Sequence, residues 1–413
     1  MTDHPDDLLH IASCRTCRDR FTADNVVNLE ADRHREPERM REFLETARRL
    51  EREREGVQDV VARLLRTTPP AEWSSLAASP ELQSSAAVEQ LIEEIRHRAE
   101  RKPGEALTLA NVATSIAEAL PAATYPPVVL AQLRATAWKE RAHALRYLGR
   151  TDHALASIEK AEERLNAFAA AGFDRAVVEL TKARILHETG RTDEAYGLMR
   201  ECRRVFVEHG DAHMLLCTGI MEGISLYDDG RISDAEGVFR DSMEVARNTQ
   251  DRESQARIEN NLGYCATHSG DFRRANVHFS NGIAIFNDLG SHAEATRAER
   301  GAGRVLVAKG QISAGLAYLQ KARRAFADSG MAEDAVLCGV EIIEVLIQRG
   351  DNVPASELAN QVSEEVAAAG LGERAIAAFA RLQESLTEGR ADAALRVHDV
   401  HEYLKSLQQP ASM

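Results

Sequence analysis

The sequence predicts an all-α fold, a right-handed superhelical solenoid of about seven or eight helix hairpins. Three observations predict it. Glycines recur at Gly149, Gly190, Gly230, Gly270, Gly310 and Gly350, spaced 41, 40, 40, 40 and 40 residues apart. A small residue stands five positions after each: Ala154, Ala195, Ala235, Ala275, Gly315 and Ala355. Aromatic residues are sparse, at 5%, while Ala, Leu, Glu and Arg abound, which favours helix over strand. A seventh beat falls at Gly389 with Ala394. A fixed period in this range marks a repeat architecture.

Each beat has a mechanical reading. Glycine ends a helix at low cost because it adopts the left-handed conformation at the C-terminal cap. A turn such as Gly149-Arg150-Thr151-Asp152 then starts a second helix, with Asp or Thr as the expected N-cap. The small residue five positions on lets that helix pack close against the first. One hairpin cannot bury its apolar face alone, and stacking on its neighbours does so.

The chain divides into parts of different character. Residues 1–35 are polar and carry His10, Cys14 and Cys17. Residues 36–66 are highly charged, with apolar positions Met40, Phe43, Leu44, Ala47, Leu50, Val57, Val61, Leu64 and Leu65 on one stripe of a long amphipathic helix. That stripe offers a partner-binding surface, or packs back on the first repeats. Residues 67–85, with Thr67-Thr68-Pro69-Pro70, Pro80 and several serines, read as a linker that lets the two parts move separately. A divergent helix pair spans Ala86 to Leu120, regular repeats follow, and 86–408 forms the solenoid with a closing hairpin near its end.

The bulk numbers narrow the function. A net charge of −14 argues against generic nucleic-acid binding, which needs a basic footprint. Hydrophobic residues at 44% and charged residues at 28% are ordinary for a soluble protein. No apolar stretch is long enough to span a membrane, and the acidic Met1–Leu9 segment lacks a signal-peptide core. The expected location is cytoplasmic. No Gly-rich phosphate loop, Gly-x-Ser-x-Gly or His-Glu-x-x-His occurs in the sequence, so no enzyme is expected. Cys202, Cys217, Cys265 and Cys338 sit singly in the repeats and read as small buried apolar residues.

The residues Trp138, Ala142, Leu145, Gly149, Ala154, Ile158 and Ala161 follow a large, small, large, turn, small, large, small pattern. Asn261, Leu262, Gly263, Gly270, Asp271, Phe272, Ala275, Phe279 and Gly282 repeat it. Over about 130–400 the chain resembles the tetratricopeptide repeat family, whose usual period is 34 residues; the longer period here implies longer helices or loops. Glu222 and Lys182 stand where that pattern prefers apolar residues. The resemblance implies a concave surface, lined by the first helices, that binds a protein or peptide partner. Carried over residue by residue, its inward positions hold Arg257, Asn260, Asn261 and Tyr264 in one unit, then Arg297, Arg300 and Arg304 in the next. Asn261 matches a position that contacts peptide backbone in some members of the family. Arginine forks and amides suit carboxylates and backbone. The alternative is a solvated face paired with Glu259 and Glu299.

His10, Cys14 and Cys17 have the spacing H-x3-C-x2-C, which on a helix places all three on one face. Imidazole and two thiolates are preferred zinc ligands, with His4 or His34 as the open fourth position. A pair of incidental thiols, or a redox pair, is the alternative. The motif resembles the zinc-binding anti-sigma domain family, which implies a link to sigma-factor control. The expected function is a regulatory protein–protein interaction scaffold that binds a protein or peptide through the repeat groove, with a sigma factor as the partner the motif implies. The alternative is a peptide-sensing or assembly adaptor with no transcriptional role and a purely structural N-terminal motif.

Overall fold

A computed structural model describes residues 45, 48–99, 102–168, 171–369, 382, 397 and 400. Gly389, Ala394, the closing hairpin and the His10, Cys14 and Cys17 motif lie outside the described residues, as does the start of the 36–66 helix. The chain forms two compact units, Met1–Gly210 and Asp211–Met413. Every regular element among the described residues is helical.

In the first unit, helical residues 48–54 lead to a turn at Gly56, whose φ of 74° only glycine adopts freely. Then come α1 (Val57–Thr67), α2 (Ser85–Ala99), α3 (Pro103–Ala119), α4 (Pro127–Tyr147), α5 (Thr151–Leu165), α6 (Gly172–Glu188) and α7 (Thr192–Glu208). The expected single long helix is therefore interrupted at Gly56. Of the stripe's described residues, Leu50 and Val61 join Leu91, Ile95, Leu109 and Ile116 in one core, with Val57, Leu64 and Leu65 packed against it. Arg54 forks onto Glu89 through two hydrogen bonds of 2.8 Å, and Glu53 accepts from the Tyr125 hydroxyl at 2.8 Å.

The expected linker is corrected as well. Pro70–Ala78 and Pro80–Leu82 are 3-10 helices. Their Trp73, Leu76 and Leu82 are buried in that same core, and the Trp73 indole donates to the Thr68 carbonyl at 2.9 Å. The prolines set the φ of the first turns, while the Trp and Leu side chains supply the apolar face that holds the segment down. Composition alone hid this because the three anchors are separated by polar and small residues.

The second unit is regular. Its helices are α8 (Ala212–Asp228), α9 (Ile232–Asn248), α10 (Arg252–His268), α11 (Phe272–Asp288), α12 (His292–Ala308), α13 (Ile312–Asp328), α14 (Ala332–Arg349) and α15 (Asn352–Ala369). Those from α8 to α13 are each 17 residues long, and their starts are 20 residues apart. The 40-residue period is thus two equal halves, and longer helices account for the excess over 34. All six predicted turn glycines have φ between 65° and 81°. Between hairpins a second series does the same at Gly210, Gly290 and Gly330. Gln250 replaces glycine in that series with φ 57°, which broke the pattern in the sequence.

Caps and packing follow from these turns. At Gly270 the chain closes with Gly270 N donating to Thr267 O at 3.1 Å and Asp271 N to Ala266 O at 2.9 Å. Asp211, Asp251 and Asp271 then accept from the third residue of the next helix at 2.9, 2.9 and 3.0 Å. The expected Thr151 or Asp152 cap is absent, because α5 begins at Thr151 after Arg150, which makes no side-chain cap bond. Ala235, Ala275 and Ala355 are fully buried. The Phe279 ring is wedged between neighbouring helices: a Cβ at Gly263 or Gly301 would meet it at 2.9 or 2.5 Å.

Candidate functional site: the inner face of the first helices

In the second unit the first helices of successive hairpins are α8, α10, α12 and α14. Helix α10 carries Arg257, Asn260, Asn261 and Tyr264. Arg257 is half-exposed and pairs with Glu253 one turn away, at 2.8 Å. The Tyr264 ring meets Phe279 edge-on, with centroids 5.1 Å apart. Asn260 is half-buried, and its Oδ1 is enclosed without a hydrogen-bond partner among the described residues. The half-buried Asn261 amide likewise has no side-chain hydrogen bond among them.

Helix α12 brings Arg297, Arg300 and Arg304 together, and α14 meets them with Asp334 and Glu341, both buried. Arg297 grips Asp334 with a fork, Nε to Oδ1 at 3.2 Å and Nη2 to Oδ2 at 3.0 Å, and donates to Glu294 at 2.8 Å. Arg300 lies 3.8 Å from both Asp334 and Glu341, and Arg304 lies 3.6 Å from Glu341. Burial is the largest single influence and disfavours charge on Arg300, but Glu341, Tyr264, Cys338 and Asp334 together outweigh it and lift the guanidinium above its ordinary range. This is a buried ion cluster that locks two first helices in register. Of the three arginines only Arg304 keeps appreciable exposure, at 37% of its side chain.

The counter-ions differ from the expected ones. Glu259 accepts from His278 at 2.7 Å and Glu299 from Lys321 at 2.7 Å, so both face the second helix of their own hairpin. Asp334 and Glu341 each stand 37 residues after an arginine they bind, Arg297 and Arg304. That near-repeat spacing is the signal that could have found them. Cys202, Cys265 and Cys338 are buried as expected, and burial pushes the thiols of Cys202 and Cys265 up to about 12. Cys217 is half-exposed, with Sγ 3.7 Å from His213 Nε2. Among the described residues no group of three or more His, Cys, Asp or Glu side chains is placed to hold a metal ion. Nor is any described helix long and apolar enough to cross a membrane.

No family model matches the sequence, and no curated protein matches it. Solved structures do. The apo form of RapI is 12% identical, with a TM-score of 0.53, covering 89% of this chain and 99% of that one. A signal transduction ATPase with numerous domains, carrying a tetratricopeptide repeat sensor, from Pyrococcus horikoshii, is 13% identical with a TM-score of 0.51. That match covers 99% of this chain and 64% of that protein. These likenesses establish the fold as a tetratricopeptide-like stack of helix hairpins.

Proposed function

We propose that the protein is a regulatory scaffold that binds a protein or peptide partner along the first helices of its second unit. The observation that carries the reading is Asn261. Its amide offers a donor and an acceptor on α10, half-buried, with neither used among the described residues. An extended peptide backbone presents the complementary pair. Tyr264 and the half-exposed Arg257 lie one turn to either side of it on α10, and the partly exposed Arg304 stands on the next first helix, α12. Arg297 and Arg300 act behind this surface, since Asp334 and Glu341 already hold them. In support, the repeats of the similar signal transduction ATPase are described as a sensor. Selection of a displayed peptide library on the full chain, followed by calorimetry of a selected peptide, tests the reading. Asn261→Ala should weaken that peptide by about tenfold, the equivalent of 1.4 kcal/mol. Failure to enrich any peptide, or unchanged affinity in the variant, would contradict it.

The adaptor reading without a transcriptional role has an observation in its favour. A sigma-binding module separate from the repeats needs a free linker, and residues 70–82 are instead anchored in the core through Trp73, Leu76 and Leu82. Zinc at His10, Cys14 and Cys17 rests on their spacing. Elemental analysis of freshly reduced protein decides it: one zinc per chain, lost in Cys14→Ser with Cys17→Ser, supports the site, and metal-free protein removes it.

A further inference from the structure

Beside Trp138 in the first unit stand two cations, Arg141 and Lys160, for which no carboxylate lies within ion-pair distance among the described residues. Arg141 on α4 stands eight residues before Gly149. The residues eight before the later turn glycines are Lys182, Glu222, Leu262, Ala302 and Ile342, of which the last three are buried. Lys182, the other cation in that series, has its counter-ion in Glu162 at 2.8 Å. Arg141 has none among the described residues. Its Nε donates to the Asn111 amide oxygen at 2.8 Å and its Nη1 to the Ser157 hydroxyl at 2.5 Å, both neutral acceptors. Ser157 is fully buried and donates onward to the His153 carbonyl at 2.8 Å, so that end of the fork is fixed.

A second cation stands beside it. Lys160 on α5, one turn beyond Ser157, places its amine 5.2 Å from the centre of the Trp138 ring, and the Arg141 guanidinium lies 5.3 Å from the same centre. The indole donates to Glu118 at 2.9 Å, and that carboxylate is taken by Arg164 at 2.8 Å and Arg134 at 3.6 Å. The local acid is therefore committed elsewhere. The ring's negative face holds both cations in place without supplying a countercharge. Burial, with no opposing carboxylate, pulls the Arg141 guanidinium below its ordinary range. Two like charges gathered on one ring repel each other, and a bound anion would relieve that repulsion.

We propose that Arg141 and Lys160 form a binding site for a compact oxyanion, a phosphate or carboxylate group, at the edge of Trp138. The guanidinium fork is pre-oriented by Asn111 and Ser157, leaving Nη2 to donate, and the lysine amine supplies a second charge-assisted bond. Guanidinium and ammonium groups are donors only, so the site suits a small anionic, oxygen-bearing group. The site is independent of the peptide-binding surface in the second unit.

The test uses the full chain and inorganic phosphate, with succinate as the carboxylate probe and chloride at matched ionic strength as control. Indole fluorescence and the thermal midpoint are read together. A saturable change in indole emission that Trp138→Phe removes, with a raised midpoint, identifies a phosphate site when phosphate gives it and a carboxylate site when succinate alone does. Arg141→Gln with Lys160→Gln should abolish the response, and Lys160→Gln alone should weaken it. Arg141→Leu, which restores the apolar pattern, should raise the midpoint without anion and remove the increment that anion gives. No saturable response to either probe beyond chloride, or an equal response in the double variant, overturns the proposal.

Discussion

The two units use the helix hairpin differently. In the second, 17-residue helices recur every 20 residues, and Arg297 and Arg304 of α12 find carboxylates on α14, nearly one repeat further on. In the first, α2 to α5 run to 15, 17, 21 and 15 residues, and the core is completed by helical and 3-10 segments outside the period. Where the repeat is regular, sequence spacing locates partners as well as turns. Where it is irregular, the same spacing is silent, and cations such as Arg141 end up beside neutral groups.

Several substitutions bear on this contrast, the largest first. Phe279→Ala removes a ring wedged between Gly263 and Gly301 and should cost about 3–5 kcal/mol in chemical denaturation. A loss below about 1 kcal/mol would mean the regular unit is not held by this interdigitation. Arg300→Ala takes one cation away from the buried Glu341 carboxylate and should cost roughly 3 kcal/mol, the low end for a broken buried pair, because its ion-pair distances are long. No change would place the cluster in solvent.

The third prediction concerns pH and belongs to the first unit. Burial lowers the His143 imidazole, although Glu140 opposes it, so the unfolded chain takes up that proton first. Stability should therefore fall as pH drops through about 6.5, and His143→Gln should flatten that step. Burial alone would raise Glu140, but Lys139 and Arg96 hold it well below its usual range. Its contribution is present above about pH 4.3 and is lost as pH falls further. Denaturant midpoints across this range check both steps; a profile unaltered by His143→Gln would contradict the first. The smallest effect is at Gln250, a non-glycine at φ 57°. Gln250→Gly should stabilise by about 1 kcal/mol by relieving left-handed strain, and a loss would show that its side chain compensates.

The fold class, the hairpin turns and the buried small residues were legible because each follows from a period set by backbone geometry. The second turn series was hidden by one residue, Gln250. The core role of Trp73, Leu76 and Leu82 was hidden because proline and serine around them signal loops, whereas long-range burial decides the outcome. At the candidate site, helical register put Arg297, Arg300 and Arg304 on one side of α12, where Asp334 and Glu341 meet them. The division of its members into internal ion pairs and free groups was not, since it depends on which neighbouring helix each side chain meets.

Hydrogen exchange of the full chain, with and without a selected peptide, tests the central claim most directly. If the inner face of the second unit is the binding surface, the peptide should slow exchange in α10 and α12 around Asn261 and Arg304. It should leave α9, α11 and α13 largely unchanged. Protection centred on those second helices, or confined to the first unit, would contradict the account.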